Sequence, residues 1–463
     1  MKKFNKLLTG IFYILISIIF IRLITMHIFS IKELIIPIII ALISILVFII
    51  ISKKIKSKYI YIVINSLIIL LIVVSTIVIL FLGKTKIFLD SVTNSNIEIK
   101  SYYLLVLKES NTIDYEDLID KKVGSTSEDY NEFLNDVDTK IKLYDSSTDM
   151  LIDLFRNDIT AIFIDDIYYT NMKELIPNFD DCIKVLKTFE KKQLIEVNES
   201  NINVKDNPFI IYISGIDTYG SIEKLGRSDV NILAVINPKE SKILLISIPR
   251  DYYVRLSGTN GYKDKLTHAG VYGIDMSIKT IEELLDIDID YYLRVNFNTI
   301  IKLVDSIGGI DIYSDTTFVT SNDKNCYLKT GNNHINGKCA LSFSRERFIY
   351  SGGDRHRGEN QQEVISGIIQ KVTTTDEILT NYLNILDKMK GSFQTNFKVE
   401  DLSYFLKKQL KDRNNWKIDK ISLDGYDSYN YTYSYSENKL YVMEPNYDTI
   451  SKAKESINLY TKK

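Results

Sequence analysis

The sequence predicts an α/β protein hung from a membrane, with three N-terminal transmembrane helices, a small α/β accessory domain, and an α/β/α domain on a mixed central sheet. Three observations carry this expectation. The longest apolar runs of the 463-residue chain lie between residues 11 and 82. Beyond them, apolar runs of strand length alternate with stretches of helical spacing, the pattern of α/β domains. A polar stretch, Asn198 to Asn207, ends at Pro208 and divides that outer part in two.

The apolar runs 11–29, 34–51 and 59–82 are each close to the roughly 20 residues that cross a bilayer. Three such cores in succession exclude a cleaved signal peptide, which has one. Arg22 interrupts the first run, and an interfacial first helix is the competing reading. Lys2, Lys3 and Lys6 at the tip and Lys53, Lys54, Lys56 and Lys58 in the second connection belong on the cytoplasmic side. An odd number of spans then sends the rest of the chain outside the cell. The expected organisation is a membrane anchor over 1–86, an accessory domain over 97–197 and the main domain over 207–450.

A formal net charge of -2 gives no sign of a nucleic-acid binder. No phosphate loop of the Gly-Lys-Ser/Thr type occurs, so no nucleotide is expected either. Three cysteines are too few for a disulfide scaffold, and no Cys/His spacing suits a metal. Cys326 and Cys339 bracket a segment with Gly331, Asn332 and Asn333 that can fold back on itself. Two buried thiols are expected there, with a bridge as the alternative.

In the accessory region strands are expected at 102–107, at Val123-Gly124 and at 159–164, with helices at 115–119 and 150–155. The phrases from Tyr115 to Gly124 and from Leu151 to Asp165 resemble the lobe of a periplasmic solute-binding protein. That resemblance implies ligand capture, and a spacer role is the expectation set against it.

In the main domain Phe209–Ser214, Asp229–Ile236 and Ile243–Ile248 read as core strands, the last two joined by the turn Asn237-Pro238-Lys239-Glu240. If they are antiparallel, Asp217, Asp229 and Arg250 gather at one sheet edge. Helices follow at 268–285, 297–306, 336–343, 359–372 and 399–410, with strands at 291–295, 310–313 and 417–423. The Tyr, Ser and Asn-rich tail 426–435 is assigned no role.

The charged constellation is the informative part. In an extended segment Arg345 and Arg347 point the same way, and on the following helix Arg357 and Gln361 share a face. Guanidiniums gathered in one place repel one another unless an anion intervenes, and their fork suits phosphate oxygens. A solvated charged face is the bland alternative. Asp217 and Asp229, near Gly215, Gly220 and Gly226, suit a hard cation such as Mg²⁺ that also takes phosphate oxygens. Otherwise one aspartate simply pairs with Arg227 or Arg250.

These residues fall into an ordered set: Gly226-Arg227-Ser228-Asp229, Ser247-Ile248-Pro249-Arg250-Asp251-Tyr252-Tyr253-Val254, Lys265-Leu266-Thr267-His268-Ala269, Asn336-Gly337-Lys338-Cys339-Ala340-Leu341, and the block from Arg345-Glu346-Arg347 through Asp354 to Arg357. Spread over 209–372, they resemble the LytR-CpsA-Psr family. The resemblance implies an α/β/α extracellular enzyme that moves an anionic glycopolymer, teichoic acid or capsular polysaccharide, from undecaprenyl diphosphate to peptidoglycan. It implies a hydrophobic channel for the lipid tail beside an arginine-rich head-group site. By it, Asp217 and Asp229 match the family's Mg²⁺ (or Mn²⁺) ligands. Arg250, Arg345, Arg347 and Arg357 match its diphosphate-binding arginines, and Asp354 and Gln361 its functional acid and glutamine. Either Asp251 or Asp354 would orient or deprotonate the attacking hydroxyl. Many members carry another arginine where this chain has Asn360, so head-group affinity is expected to differ. The alternatives are a membrane-bound binding or regulatory protein that holds lipid diphosphate, and a polyprenyl-diphosphate phosphatase.

Overall fold

The computed structural model describes residues 2–26, 31–54, 57–93, 97–195, 200, 202–205, 207–217, 220–350, 352–374, 381–412 and 416–462. Residues 27–29 of the first expected span and 198, 199, 201 and 206 of the expected linker lie outside the described residues. Three helices open the chain: α1 (Lys2–Thr25), α2 (Ile31–Lys54) and α3 (Lys58–Thr93). Among the described residues two helices, over Lys3–Thr25 and Lys58–Val92, are long and apolar enough to cross a membrane. A shorter apolar stretch, Leu34–Ser44, belongs to α2. Arg22 is no obstacle to α1, because its Nη1 donates to the Ile79 carbonyl of α3 at 2.6 Å, in the space left by Gly83. A guanidinium satisfied in this way loses much of its cost in an apolar layer. The third helix runs beyond the expected Leu82 to Thr93, and its far end is tied to the outer part by Lys84–Asp387 at 2.5 Å and by Phe88 against Phe393.

The first sheet comprises β1 (Ile97–Leu107), β2 (Lys122–Ser125), β3 (Lys140–Leu143), β4 (Ala161–Asp165) and β5 (Ile183–Leu194), in the order β3-β2-β4-β1-β5. Alternation sends Tyr102, Leu104 and Val106 to one face and Leu105 to the other, so both faces of the sheet carry a core. A buried ion pair fastens this sheet to the next one, Glu98 of β1 accepting from Arg294 Nη1 at 2.9 Å.

The main domain contributes β6 (Phe209–Ile216), β7 (Ser228–Asn237), β8 (Lys242–Ser247), the ribbon β9 (Tyr253–Arg255) with β10 (Lys263–Lys265), and β11 (Tyr291–Asn296). Then come β12 (Ile310–Ser314), β13 (Phe318–Val319), β14 (Tyr327–Leu328), β15 (Gly331–Ile335), β16 (Phe393–Thr395), β17 (Lys417–Ser422), β18 (Gly425–Thr432) and β19 (Tyr435–Pro445). Six of them form a mixed sheet in the order β16-β11-β6-β7-β8-β17, with β6-β7 and β7-β8 antiparallel and the β11-β6 and β8-β17 pairs parallel. One face of this sheet, through Tyr212, Leu233, Val235, Leu244 and Ile246, packs on the helices Ile274–Leu285 and Tyr447–Thr461. The helices Phe297–Ser306 and Asp354–Thr374 lie against the other face, giving three layers.

Three local expectations change. The single helix expected over 268–285 is two, Leu266–Tyr272 and Ile274–Leu285, because Gly273 turns at φ 131° and a Cβ there would strike Glu98. The Arg345 segment is not extended: the helix Gly337–Ser344 ends on Arg345 in a right-handed cap, and buried Glu346 accepts from the Ser321, Arg347 and Phe348 amides. Cys326 and Cys339 are bridged, with Cα atoms 5.1 Å apart, rather than two thiols. The β13–β14 and β12–β15 ribbons fold the intervening chain back to bring them together.

Candidate active site

The three strands β6, β7 and β8 run antiparallel, so the end of β6, the start of β7 and the turn after β8 share one edge, and Asp217, Asp229 and Arg250 meet there. Arg250 Nη1 donates to Asp229 Oδ2 at 2.7 Å, and Arg227 Nη2 to Asp217 Oδ2 at 3.2 Å. Thr267 Oγ1 donates to the other Asp229 oxygen at 2.9 Å. Arg250 Nε lies 3.4 Å from Asp251 and 3.6 Å from Asp354, and Asp354 lies 3.4 Å from Arg357. Lys265 holds the other oxygen of Asp251 at 3.4 Å.

Behind this edge opens a cavity of about 550 Å³ between the sheet and the helices Phe297–Ser306 and Asp354–Thr374. Alternate strand residues line it: Ile211 and Ile213 of β6, Val230, Ala234 and Ile236 of β7, Ile243 of β8, Leu293 and Val295 of β11. Ile300, Leu303, Ile365, Ile368 and Ile369 close it from the helices. All its charge stands at one end, where Asp217, Asp229, Arg227, Arg250, Arg345, Arg347 and Arg357 join Gln361. Arg345 stacks its guanidinium 4.3 Å from the Phe297 ring, a fixed position that sequence reading missed.

A second, polar cleft of about 520 Å³ shares Arg250 and Arg347 with the apolar cavity. Asp251, Lys265, Asp354, Arg355, Asp427 and Tyr441 complete it. The two chambers therefore meet at arginines. All nine candidate residues of the sequence reading lie in one or both linings. Asn360 does not: it is buried and donates to the Phe343 carbonyl at 3.3 Å.

Electrostatics separates the carboxylates. Burial, then the charge of Asp229, push the Asp217 carboxyl up. For Asp229 burial acts in the same sense, yet Arg250, Arg357 and Arg227 outweigh it and hold that carboxyl far below the usual range. Asp354 is also held low, burial being overcome by Arg357 and Arg250. Two mutually repelling carboxylates at a pocket mouth fit a divalent cation that draws its other oxygens from phosphate and water. Among the described residues no group of three or more His, Cys, Asp and Glu stands ready for a metal. Such a cation would therefore rest on these two carboxylates and the substrate.

Such a site suits a molecule with a long apolar body and an anionic head. The sequence profile of the LytR_cpsA_psr family matches residues 181–452, more than half of the chain, which belongs to that family of cell-envelope glycopolymer transferases. The polyisoprenyl-teichoic acid–peptidoglycan teichoic acid transferase TagU of Enterococcus faecalis is 36% identical over 219 residues, 47% of this chain and 70% of the relative. Its namesake in Bacillus cereus strain ATCC 14579 is 38% identical over 208 residues, 45% of this chain and 66% of the relative. The crystal structure of B. subtilis TagV is 30% identical, with a TM-score of 0.47, covering 56% of this chain and 98% of TagV.

Proposed function

We propose that this protein transfers an anionic glycopolymer, teichoic acid or capsular polysaccharide, from undecaprenyl diphosphate to peptidoglycan on the outer face of a bacterial membrane. The observation that carries the reading is the single cavity whose body is apolar and whose mouth is a cluster of arginines. A polyprenyl tail fills the body and the diphosphate meets Arg250, Arg345, Arg347 and Arg357, whose forks bind its oxygens. Three N-terminal spans, with the N-terminus in the cytoplasm, hold the site at the leaflet where that lipid lies.

The acceptor hydroxyl attacks the phosphorus nearer the glycopolymer. A new P–O bond forms to the acceptor, the bond to the bridging oxygen breaks, undecaprenyl phosphate leaves with that oxygen and its electron pair, and the hydroxyl's proton passes to the leaving phosphate. Mg²⁺, or Mn²⁺, on Asp217 and Asp229 would supply charge neutralisation at the diphosphate. Arginines in a water-poor mouth stabilise charge gathering on the phosphoryl oxygens. Asp251, clamped between Arg250 and Lys265, holds Arg250 in place. Asp354 faces the polar cleft and accepts the hydroxyl's hydrogen bond, and its low pKa makes it an orienting acceptor more than a strong base.

The test incubates the full chain in detergent with a lipid-diphosphate oligosaccharide and peptidoglycan fragments, with and without Mg²⁺. Linked product that depends on the cation and disappears in Arg345→Ala and Asp229→Ala is expected. Product unchanged in both variants refutes the site, and release of undecaprenyl phosphate and glycan phosphate without linked product makes the protein a phosphatase.

A further inference from the structure

The tyrosine-rich tail forms the β18–β19 hairpin, and this hairpin walls the polar cleft. Asp427 and Tyr441 line the cleft, and the Tyr441 hydroxyl donates to Asp427 at 3.0 Å. The same face continues outward to Tyr429, paired across the strands with Tyr441 at 5.9 Å between ring centroids; the register then shifts, and Tyr431 follows two residues along the same strand, beneath Lys439 of the facing strand. Tyr429 and Tyr431 are 64% and 54% exposed, rings in a row that contribute little to the fold by being bared. Both ends of the hairpin are fixed. Near its base Arg355 of the helix Asp354–Thr374 donates to Asp424 at 2.6 Å and Asp427 at 3.1 Å. Near its turn Glu437 accepts from the Ser147 and Thr148 amides, at 2.5 and 2.9 Å, where a helix of the first sheet's domain begins.

We infer that the row Tyr441, Tyr429 and Tyr431 binds the sugar backbone of the acceptor glycan and leads one sugar into the cleft. The inference rests on the transfer reaction proposed above. A tyrosine offers an apolar ring with a hydrogen-bonding rim, which matches a pyranose with its apolar face and ring of polar groups. Charge decides between the two polymers of that reaction. From Gly425 to Pro445 the hairpin has three carboxylates, Asp427, Glu437 and Glu444, and one lysine, Lys439, which lies 5.8 Å over the Tyr431 ring. Arg355 pairs with Asp427 and Lys263 lies 3.8 Å from Glu444, so the hairpin surface has no surplus of positive charge to hold a polyphosphate chain, whereas an uncharged chain of N-acetylated sugars needs none.

Binding of uncrosslinked peptidoglycan glycan strands and, separately, of poly(glycerol phosphate) is measured on the full chain in detergent without lipid donor. The wild type is compared with Tyr429→Ala/Tyr431→Ala and with Tyr429→Phe/Tyr431→Phe. The alanine pair is expected to weaken the glycan strand about tenfold with an unchanged unfolding midpoint, and the phenylalanine pair to keep most of the affinity. Glycan binding absent from the wild type, or unchanged in the alanine pair, overturns the inference. So does wild-type binding of poly(glycerol phosphate) that the alanine pair abolishes, which assigns the row to the donor polymer. Because binding is read without donor, a wild type that binds glycan here but forms no linked product in the transfer assay with donor overturns the proposed function and leaves this inference standing.

Discussion

Ala234 offers a direct test of where the lipid tail lies. It sits on β7 between Ile211 of β6 and Leu245 of β8 by pairing, and it lines the apolar cavity, while its neighbours Leu233 and Val235 are fully buried on the sheet's reverse face. Ala234→Phe adds six carbons to a side chain that faces the cavity. Five residues separate Ala234 from Asp229, which at roughly 3.3 Å per residue places the new ring about 16 Å from the mouth. An isoprene unit has five carbons, so displacing one forfeits about 4 kcal/mol at about 0.8 kcal/mol per carbon. Rearrangement of a flexible tail in a cavity of about 550 Å³ returns part of that. A loss of about 2 kcal/mol, roughly thirtyfold in Kd, is expected for undecaprenyl diphosphate. Geranyl diphosphate, whose tail ends short of that depth, should bind as it does to the wild type. Competition binding on the detergent-solubilised chain reads both ligands. Equal weakening of the two, or no change in either with the fold intact, would mean that the tail lies elsewhere.

The two sheets are fastened by a pair that should tolerate double but not single removal. Arg294 is 1% exposed, so Arg294→Met strands the Glu98 carboxylate and should cost about 3–5 kcal/mol in denaturant unfolding, most of it recovered by adding Glu98→Met. Asp166, at the start of the helix that follows β4, is pushed up to about 6, first by burial and then by Asp165 and Asp217. A raised carboxyl contributes stability at pH 4 that is lost as pH climbs through about 6. Asp166→Asn should therefore stabilise the chain by up to about 3 kcal/mol at pH 8 and leave it unchanged at pH 4, and equal shifts at both pH values would contradict this. The Cys326–Cys339 bridge closes a short loop, so a reductant should lower stability by about 3 kcal/mol, an effect absent from Cys326→Ser/Cys339→Ser.

What the sequence reveals about the site depends on how local each feature is. The gathering of Asp217, Asp229 and Arg250 is legible because three apolar runs and one proline turn imply an antiparallel meander. Arg357 and Gln361 are legible because helix geometry alone puts them side by side. The cavity is not legible from periodicity. Ile211, Ile213 and Ile236 read as core residues whether a helix or a lipid covers them, and the sheet is apolar on both faces. Arg345 lies in a turn because Glu346 captures amides that include Ser321, distant in sequence. The disulfide likewise depends on ribbons whose pairing no local pattern specifies. The tyrosine tail fails for another reason. Its alternation marks a strand, but only its neighbours Asp424, Asp427 and Glu437 tie it to a particular cleft.

Sheet order also bears on how a membrane lipid can enter. The edge strand β16 carries Phe393, against which Phe88 of α3 packs, and β16 pairs with β11 through Val295↔Phe393. Val295 and Leu293 of β11 line the apolar cavity. The membrane helix thus ends one strand away from the cavity wall, and Lys84–Asp387 fixes the same junction from the side. On the proposed function, a tail leaving the bilayer beside α3 would meet this edge first, and little of it would cross water before being buried again. Since exposing each further methylene costs about 0.8 kcal/mol, proximity of anchor and cavity would lower the barrier to loading. On the function proposed above, the long third helix would thus do more than tether: its outer turns would hold this sheet edge near the bilayer.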